Sequence, residues 1–119
     1  MGEERDGKCV FCRIVRGDFG TTFVAANEHG VAFADLDPKA PVHVLVVPRR
    51  HVSGLTDAAV GDPALCGALL QLCANVAERT GIATTGYRVL TNQGADAGQT
   101  VFHLHFHVMG GGPLKAGLG

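Results

Sequence analysis

The stretch Phe102-His103-Leu104-His105-Phe106-His107-Val108 decides how this chain folds, because apolar and imidazole side chains alternate along it. A period of two is typical of a β-strand that buries one face in a core. The three histidines are then predicted to project from the opposite face as a row, with neighbours about 7 Å apart. Crowded neutral imidazoles each need a hydrogen-bond partner, and protonated ones repel one another. The row therefore indicates a functional site.

Two chemistries fit a row of histidines. Imidazoles on alternate residues of a strand are a common pair of metal ligands, which would give a metal site of three histidines. Imidazole is also a nucleophile, so that one histidine could attack phosphorus and carry a covalent intermediate. The preceding loop, residues 92–100, favours phosphate, because Gly94 and Gly98 let backbone N–H groups approach a ligand closely. Asn92, Gln99 and Thr100 add side-chain donors to the same loop.

The composition bounds the class of protein. With 119 residues, of which 46% are hydrophobic and 18% charged, the chain can form one domain with its own core. The formal net charge of -1 argues against a protein that coats nucleic acid or an anionic membrane. Residues 1–8 are too polar for a secretory signal, and no apolar run is long enough to span a bilayer. We therefore expect a cytoplasmic protein with reduced cysteines and without nucleic-acid or membrane partners.

The remaining pattern predicts an α+β domain in which an antiparallel sheet of about five strands packs with two helices. Apolar and β-branched runs predict strands at 22–26, 31–34, 42–47, 87–90 and 102–109. A hairpin turn at 27–30 joins the first two strands. The helices are predicted at 9–15 and 62–80, the second with Asp62 as N-cap, Pro63 at its first position and Gly81 left-handed after its end.

The same pattern sets the expected boundaries. The domain is predicted to span residues 9–112, between a flexible N-terminal segment, 1–8, and a C-terminal tail, 113–119.

Cys66 and Cys73 lie in the second helix and are predicted to be core residues. Cys9 and Cys12 form a Cys-x-x-Cys motif. By itself this spacing is compatible with a redox pair, with a metal-binding knuckle or with a chance occurrence.

The motif His103-Leu104-His105-Phe106-His107-Val108-Met109 closely resembles the signature of the histidine triad family, in its nucleotide-binding-protein branch. Other segments are similar to blocks of the same family. They are residues 9–15, 35–43, 46–51, 92–94 and 98–100. The resemblance covers about residues 9–112, which is nearly the whole chain. It implies a histidine-triad-like fold and a homodimer in which the sheets of two subunits join.

The resemblance also implies an activity. Proteins of this family hydrolyse or transfer nucleotides at an α-phosphate, usually that of a purine nucleotide of the AMP type, and no catalytic metal is expected. His105 resembles the nucleophile, which forms a nucleotidyl-histidine. His107 resembles the residue that contacts the phosphate and helps the leaving group, and His43 lies near the same cluster. The residues that match nucleotide contacts are Asp35 for the ribose, Asn92, Gly98, Gln99 and Thr100 for the phosphate, and Val10, Phe11 and Ile14 for the base.

A second, structural site is implied by some family members and by the related galactose-1-phosphate uridylyltransferases, which hold zinc with two cysteines and two histidines. The matching residues here are Cys9, Cys12, His51 and His103. A Cys₂His₂ set closes a tetrahedron, so such a zinc would stabilise the fold. The alternative is that the two cysteines are reduced, partly buried thiols. His29 is interpreted as a solvent-exposed turn residue.

The leading hypothesis is a phosphoramidase-like hydrolase of purine nucleotides. One alternative is a dinucleoside polyphosphate hydrolase, and another is a nucleotide-binding interaction module with little turnover. Thr100 stands where the family frequently has serine, which keeps the hydroxyl. The segment 110–119 lacks an aromatic residue that some relatives carry, which leaves the preference for a leaving group open.

Overall fold

The computed structural model describes residues 8–116 of the chain. The predicted flexible segment, apart from Lys8, and the last three residues of the predicted tail lie outside that range. Within it, the chain forms three α-helices: α1 (Val10–Arg16), α2 (Leu55–Gly61) and α3 (Pro63–Arg79). The five strands are β1 (Ala25–Ala26), β2 (Gly30–Ala34), β3 (Val42–Pro48), β4 (Tyr87–Thr91) and β5 (Phe106–Gly110).

The strands form one antiparallel sheet in the order β1-β2-β3-β5-β4. The central pair joins distant parts of the chain, because Val46 pairs with Phe106 and Leu45 with His107. The predicted α+β class and the antiparallel sheet of five strands are therefore confirmed. The structure has three helices where the sequence analysis expected two.

The hairpin between β1 and β2 forms as predicted. The side-chain oxygen of Asn27 accepts hydrogen bonds from the backbone N–H groups of His29 and Gly30, both at 2.9 Å. Such an Asx turn reverses the chain so that Ala26 pairs with Val31. The first strand is nevertheless shorter than the predicted 22–26, because Phe23 packs against the apolar cluster beside α1 instead of extending the ladder.

The core has two parts, one on each face of the sheet. Helix α3 covers one face, where its buried residues pack with alternate residues of β3 and β5; these are Leu69, Leu72, Val76, Val44, Val46, Phe106 and Val108. On the other face, Phe11 of α1 packs with the intervening residues Leu45 and Val47. Strand β3 is thus buried on both sides, which explains why its sequence is almost continuously apolar.

Helix α3 begins and ends as its sequence predicts. The carboxylate of Asp62 accepts the backbone N–H of Leu65 at 3.1 Å, and Pro63 occupies the first turn. After the helix, Gly81 has a φ of 81°, a left-handed conformation that favours glycine. Cys73 is buried in the core and Cys66 is half-buried against it. All four cysteines are free thiols.

Helix α2 was not predicted, and the reason lies in its cap. Gly54 precedes the helix and offers no side chain to its first N–H groups. The cap comes from a distant residue, because the Gln93 amide oxygen accepts the backbone N–H of Thr56 at 2.6 Å. A helix of seven residues that is capped from another segment leaves no local start signal.

Strand β5 begins at Phe106, so the predicted strand 102–109 is wrong in its first half. The chain before Phe106 bonds to the segment that follows β3. The backbone N–H of Leu104 donates to the carbonyl of Val52 at 2.6 Å, and the His103 ring bonds the carbonyl of Pro48 at 3.0 Å. Along residues 8–116, no helix combines the length and apolar character that crossing a membrane requires.

Two glycine-to-alanine substitutions test the packing of α3 on the sheet. A Cβ on Gly30 would lie 2.7 Å from the Val47 carbonyl oxygen and 2.8 Å from a Leu69 methyl, so the Gly30→Ala variant should lose about 1–3 kcal/mol of stability. Gly67, within α3, has no neighbouring atom within 4 Å of that position, so Gly67→Ala should gain roughly 0.5–1 kcal/mol. Urea unfolding of both variants measures the two changes. Equal stabilities would contradict the packing described.

Candidate active site

The three histidines of the motif do not form one row. His105, just before β5, and His107, within it, lie together with ring centroids 5.2 Å apart. His103 is fully buried and its ring lies between α1 and the end of β3. The prediction that all three project from one strand face is wrong, because the chain is not yet in the sheet at residue 103. The motif therefore divides between two sites.

The first site surrounds His103. Its Nε2–H donates to the carbonyl of Pro48 at 3.0 Å, since a carbonyl oxygen can only accept. The lone pair of the ring is therefore on Nδ1, which lies 3.3 Å from the sulfur of Cys9 and 3.6 Å from that of Cys12. Burial lowers the pKa of His103 to about 4, so that the ring is neutral and its Nδ1 is available as a ligand atom.

The residues around His103 fit a zinc ion. His51 completes the set, with its Nδ1 3.4 Å from the sulfur of Cys12, and the four donor atoms all lie within 4.8 Å of one another. Typical zinc bond lengths place sulfur and nitrogen ligands of a tetrahedral ion about 3.5 Å apart. Burial raises the pKa of the Cys9 thiol to about 11, so a bound cation would be needed to hold it as thiolate. Donor types and spacing both suit a closed Cys₂His₂ centre.

The second site contains His105, whose tautomer is fixed in the opposite sense to that of His103. The Nδ1–H of His105 donates to the backbone carbonyl of His103 at 2.8 Å. Its Nε2 therefore carries the lone pair. The ring packs edge-on against Phe11, with centroids 5.0 Å apart. Burial lowers the pKa of His105, so the neutral, nucleophilic form is favoured.

His107 is oriented by a chain of hydrogen bonds. The backbone N–H of Lys39 donates to Nδ1 of His43 at 2.9 Å, which places the proton of that ring on Nε2. His43 Nε2–H then donates to Nδ1 of His107 at 2.9 Å. His107 must in turn carry its proton on Nε2. The carboxylate of Asp35 lies 3.3 Å from His43 Nε2. Adjacent histidines thus present different groups, with an acceptor on His105 and a donor on His107.

A cavity of about 560 Å³ opens beside these rings. Its polar lining residues include His105, His107, Asp35 and Thr100. Its apolar wall includes Val10, Phe11 and Ile14, as the sequence analysis expected. Further lining residues were not foreseen; they are Phe19, Thr21, Phe33, Ala34, Leu36, Leu45 and Val101. The nearly continuous apolar runs of β2 and β3 mark Phe33 and Leu45 as buried residues, whereas the half-exposed Phe19 and the fully exposed Leu36 follow no pattern.

Four of the residues predicted for catalysis or nucleotide binding do not line the cavity. His43 is buried and is linked to the cavity by its hydrogen bond to His107, which lines it. Gln99 is also buried and holds the loop together, because its side chain accepts the Gly94 N–H at 2.8 Å and donates to the carbonyl of Ser53 at 2.9 Å. Gly98 and Asn92 belong to the same loop, with Gly98 left-handed at a φ of 86°. Direct nucleotide contacts by Asn92, Gly98 and Gln99 remain predictions.

Comparisons with known proteins agree with this geometry. A sequence profile of the HIT domain matches residues 16–114. An uncharacterised HIT-like protein of Synechocystis sp. is 41% identical over 106 residues, which cover 89% of this chain and 92% of that protein. The purine nucleoside phosphoramidase of Escherichia coli K12 is 33% identical over 105 residues, 88% of each chain. The solved structure of a HIT family hydrolase from Clostridium thermocellum superposes with a TM-score of 0.89 at 37% identity, covering 95% of this chain and 98% of that one.

These matches span almost the full length of the relatives as well as of this chain. The protein therefore belongs to the HIT domain family. The matched hydrolases support hydrolysis as its general activity.

The burial of His107 predicts a dependence of stability on pH. Burial and the neighbouring imidazoles lower the pKa of His107 to about 4, from an ordinary 6.5. The unfolded chain binds a proton at a higher pH than the folded chain, so the free energy of unfolding should fall as pH falls from about 6.5 to about 4. A His107→Asn variant should show a weaker dependence in urea unfolding at a series of pH values.

The matched control for the loss of one imidazole is His29→Asn, made in the turn between β1 and β2. The comparison controls for the loss of one imidazole from the chain. An unchanged slope in His107→Asn would contradict a lowered pKa for this residue.

Proposed function

We propose that this protein hydrolyses purine nucleoside phosphoramidates at the α-phosphate, through a nucleotidyl intermediate on His105. The observation that carries the proposal is that two neighbouring rings beside one cavity carry their ring proton on opposite nitrogens. His105 has a lone pair on Nε2, and His107 has a proton on the same atom. A nucleophile and a hydrogen-bond donor side by side suit displacement at phosphorus. The 33% identity to a purine nucleoside phosphoramidase supports the same substrate class.

In the first step, His105 Nε2 forms a bond to the α-phosphorus while the bond from phosphorus to the leaving nitrogen breaks, and that nitrogen takes up a proton from solvent, which the attacking water replaces in the second step. The ring gains positive charge, and its Nδ1–H already donates to the carbonyl of His103, which stabilises that charge. In the second step, water attacks the same phosphorus and the bond to His105 breaks. One water molecule thus supplies the oxygen that the nucleoside monophosphate keeps and the proton that the amine keeps.

His107 would act on the phosphate in both steps. Its Nε2–H can donate to an equatorial oxygen, where negative charge accumulates in the transition state. His43 holds this donor in place, because its own Nδ1 is occupied by the Lys39 N–H. Backbone N–H groups of the 92–100 loop and the hydroxyl of Thr100 would add further donors. We assign catalytic roles to His105 and His107 and a positioning role to His43.

The shape of the cavity suits a nucleoside. Asp35 lines the cavity, and a carboxylate can accept hydrogen bonds from ribose hydroxyls. The apolar wall formed by Val10, Phe11 and Ile14 would pack against a purine base. With the base against this wall and the α-phosphate at the histidines, the ribose would bridge the two ends.

Three further assignments belong to the proposal. Cys9, Cys12, His51 and His103 would hold a structural zinc, which would join α1 to the sheet. A homodimer would form by joining sheets at β4, an edge strand with the exposed side chains Tyr87 and Val89. A cytoplasmic location fits the reduced thiols that such a zinc site needs.

The His105→Asn variant tests the proposed nucleophile. Asparagine cannot form the covalent intermediate, so the kcat for an adenosine phosphoramidate should fall at least about a thousandfold. Binding of AMP, measured by calorimetry, should change far less, because the cavity remains. The His29→Asn variant should keep the wild-type rate.

Substrate choice separates the alternatives. A higher kcat/KM on a dinucleoside polyphosphate than on the phosphoramidate would favour the polyphosphate hydrolase. AMP binding without turnover of either substrate by the wild-type protein would favour a nucleotide-binding module. Activity that persists in His105→Asn would overturn the assignment of the nucleophile.

The zinc assignment is tested by metal content and stability. The purified protein should contain about one zinc per chain, and chelation should lower the Tm before any loss of activity in the folded fraction. Cys12→Ser should reduce the zinc content. Cys66→Ser, a thiol on α3 outside the cluster, is the control and should retain it. Loss of activity without loss of stability on chelation would indicate a catalytic metal instead.

A further inference from the structure

The proposed nucleophile lies just outside the regular sheet. The last pair in the ladder between β4 and β5 joins Thr91 to Phe106, and His105 is the residue before Phe106. Strand pairing therefore ends one residue short of the ring that must meet the phosphate. The position of His105 depends on other bonds.

Besides the bond from the His103 ring to the carbonyl of Pro48, three hydrogen bonds hold residues 103–105, just before β5. The backbone N–H of Leu104 donates to the carbonyl of Val52 at 2.6 Å, and the ring of His105 donates to the carbonyl of His103 at 2.8 Å. The third bond comes from a side chain, because the hydroxyl of Thr91 donates to the backbone carbonyl of His105 at 2.6 Å. A carbonyl accepts only, so the direction of this bond is fixed.

We propose that Thr91 is a positioning residue for His105, and that its hydroxyl fixes the peptide carbonyl of His105 and with it the direction of the imidazole. The inference rests on the proposed function, since it takes His105 as the nucleophile. A reacting pair must be held about 3–3.5 Å apart and aligned, and small displacements reduce the rate strongly. Rotation of the peptide unit after His105 would carry the ring away from the phosphate.

The place of Thr91 in the fold suits this role. It is the last residue of β4, and the 92–100 loop that would receive the phosphate begins directly after it. The bond from Thr91 to His105 therefore joins the start of that loop to the nucleophile. Thr91 is half-buried, so water competes less well for the carbonyl than it would on an open surface.

The side chain offers a clean test, because valine has the shape of threonine and suits a β-strand equally well. Thr91→Val removes the hydroxyl alone. Loss of one hydrogen bond should lower the kcat for an adenosine phosphoramidate by about threefold to tenfold, with the KM changed less than about twofold. Thr91→Ser keeps the hydroxyl and should retain at least about half of the wild-type kcat. Thr84→Val, an exposed threonine before β4, controls for the substitution itself.

A second pair covers the case in which Thr91→Val folds poorly. Thr91→Ser and Thr91→Ala differ only by the hydroxyl oxygen, and the alanine variant should be the slower of the two by the same factor. An unchanged kcat in Thr91→Val would overturn the inference. Equal losses in the serine and alanine variants would also overturn it, as would an effect on KM alone.

A measurement without turnover separates this inference from the proposed function. The ring-nitrogen resonances of His105 report its tautomer and surroundings, and they should shift in Thr91→Val but not in Thr84→Val. If the wild-type protein fails to hydrolyse the phosphoramidate, the proposed function is wrong, and the shift still decides whether Thr91 positions the ring. Unshifted resonances together with an unchanged kcat would reject the role of Thr91.

Discussion

The hydrogen bond from the His103 ring to the carbonyl of Pro48 is the interaction on which the rest of the site depends. It ties the chain before β5 to the end of β3 and places the proton of His103 on Nε2. The free Nδ1 is thereby aimed at the thiols of Cys9 and Cys12, which sit at the start of α1. Because α1 carries Phe11, the same bond also determines where the apolar wall of the cavity stands.

Neighbouring histidines in this protein present different ring atoms because the groups that bond their ring nitrogens differ. His103 and His105 each donate one ring proton to a carbonyl, but from opposite nitrogens. His107 is set by a ring rather than by a carbonyl, since His43 donates to its Nδ1. Identical side chains thus become a buried metal-ligand candidate, a nucleophile candidate and a donor. Composition alone cannot distinguish these roles, because they are imposed by whichever group faces each nitrogen.

Local patterns predicted the parts of the fold whose signals are local. The buried strand β3, the capped helix α3 and the Asn27 turn all follow from neighbouring residues, and the structure confirms them. The same patterns failed where distant segments meet. Helix α2 is capped by Gln93, 37 positions from Thr56, and residues 103–105 stay outside the sheet, where Pro48 and Val52 offer carbonyls to them. The apolar wall at Phe11 was expected from the family resemblance, whereas the loop-holding bonds of Gln99 were not foreseen.

The contact between Cys9 and His103 joins positions that are 94 residues apart. Closing so long a loop is entropically costly, and β3 cannot complete its pairing until β5 is present. During synthesis Val10, Phe11 and Ile14 of the apolar wall emerge first, and the rings of His105 and His107 emerge near the end. A chain that stops short of β5 therefore has no assembled site, because His105 and His107 arrive together with that strand.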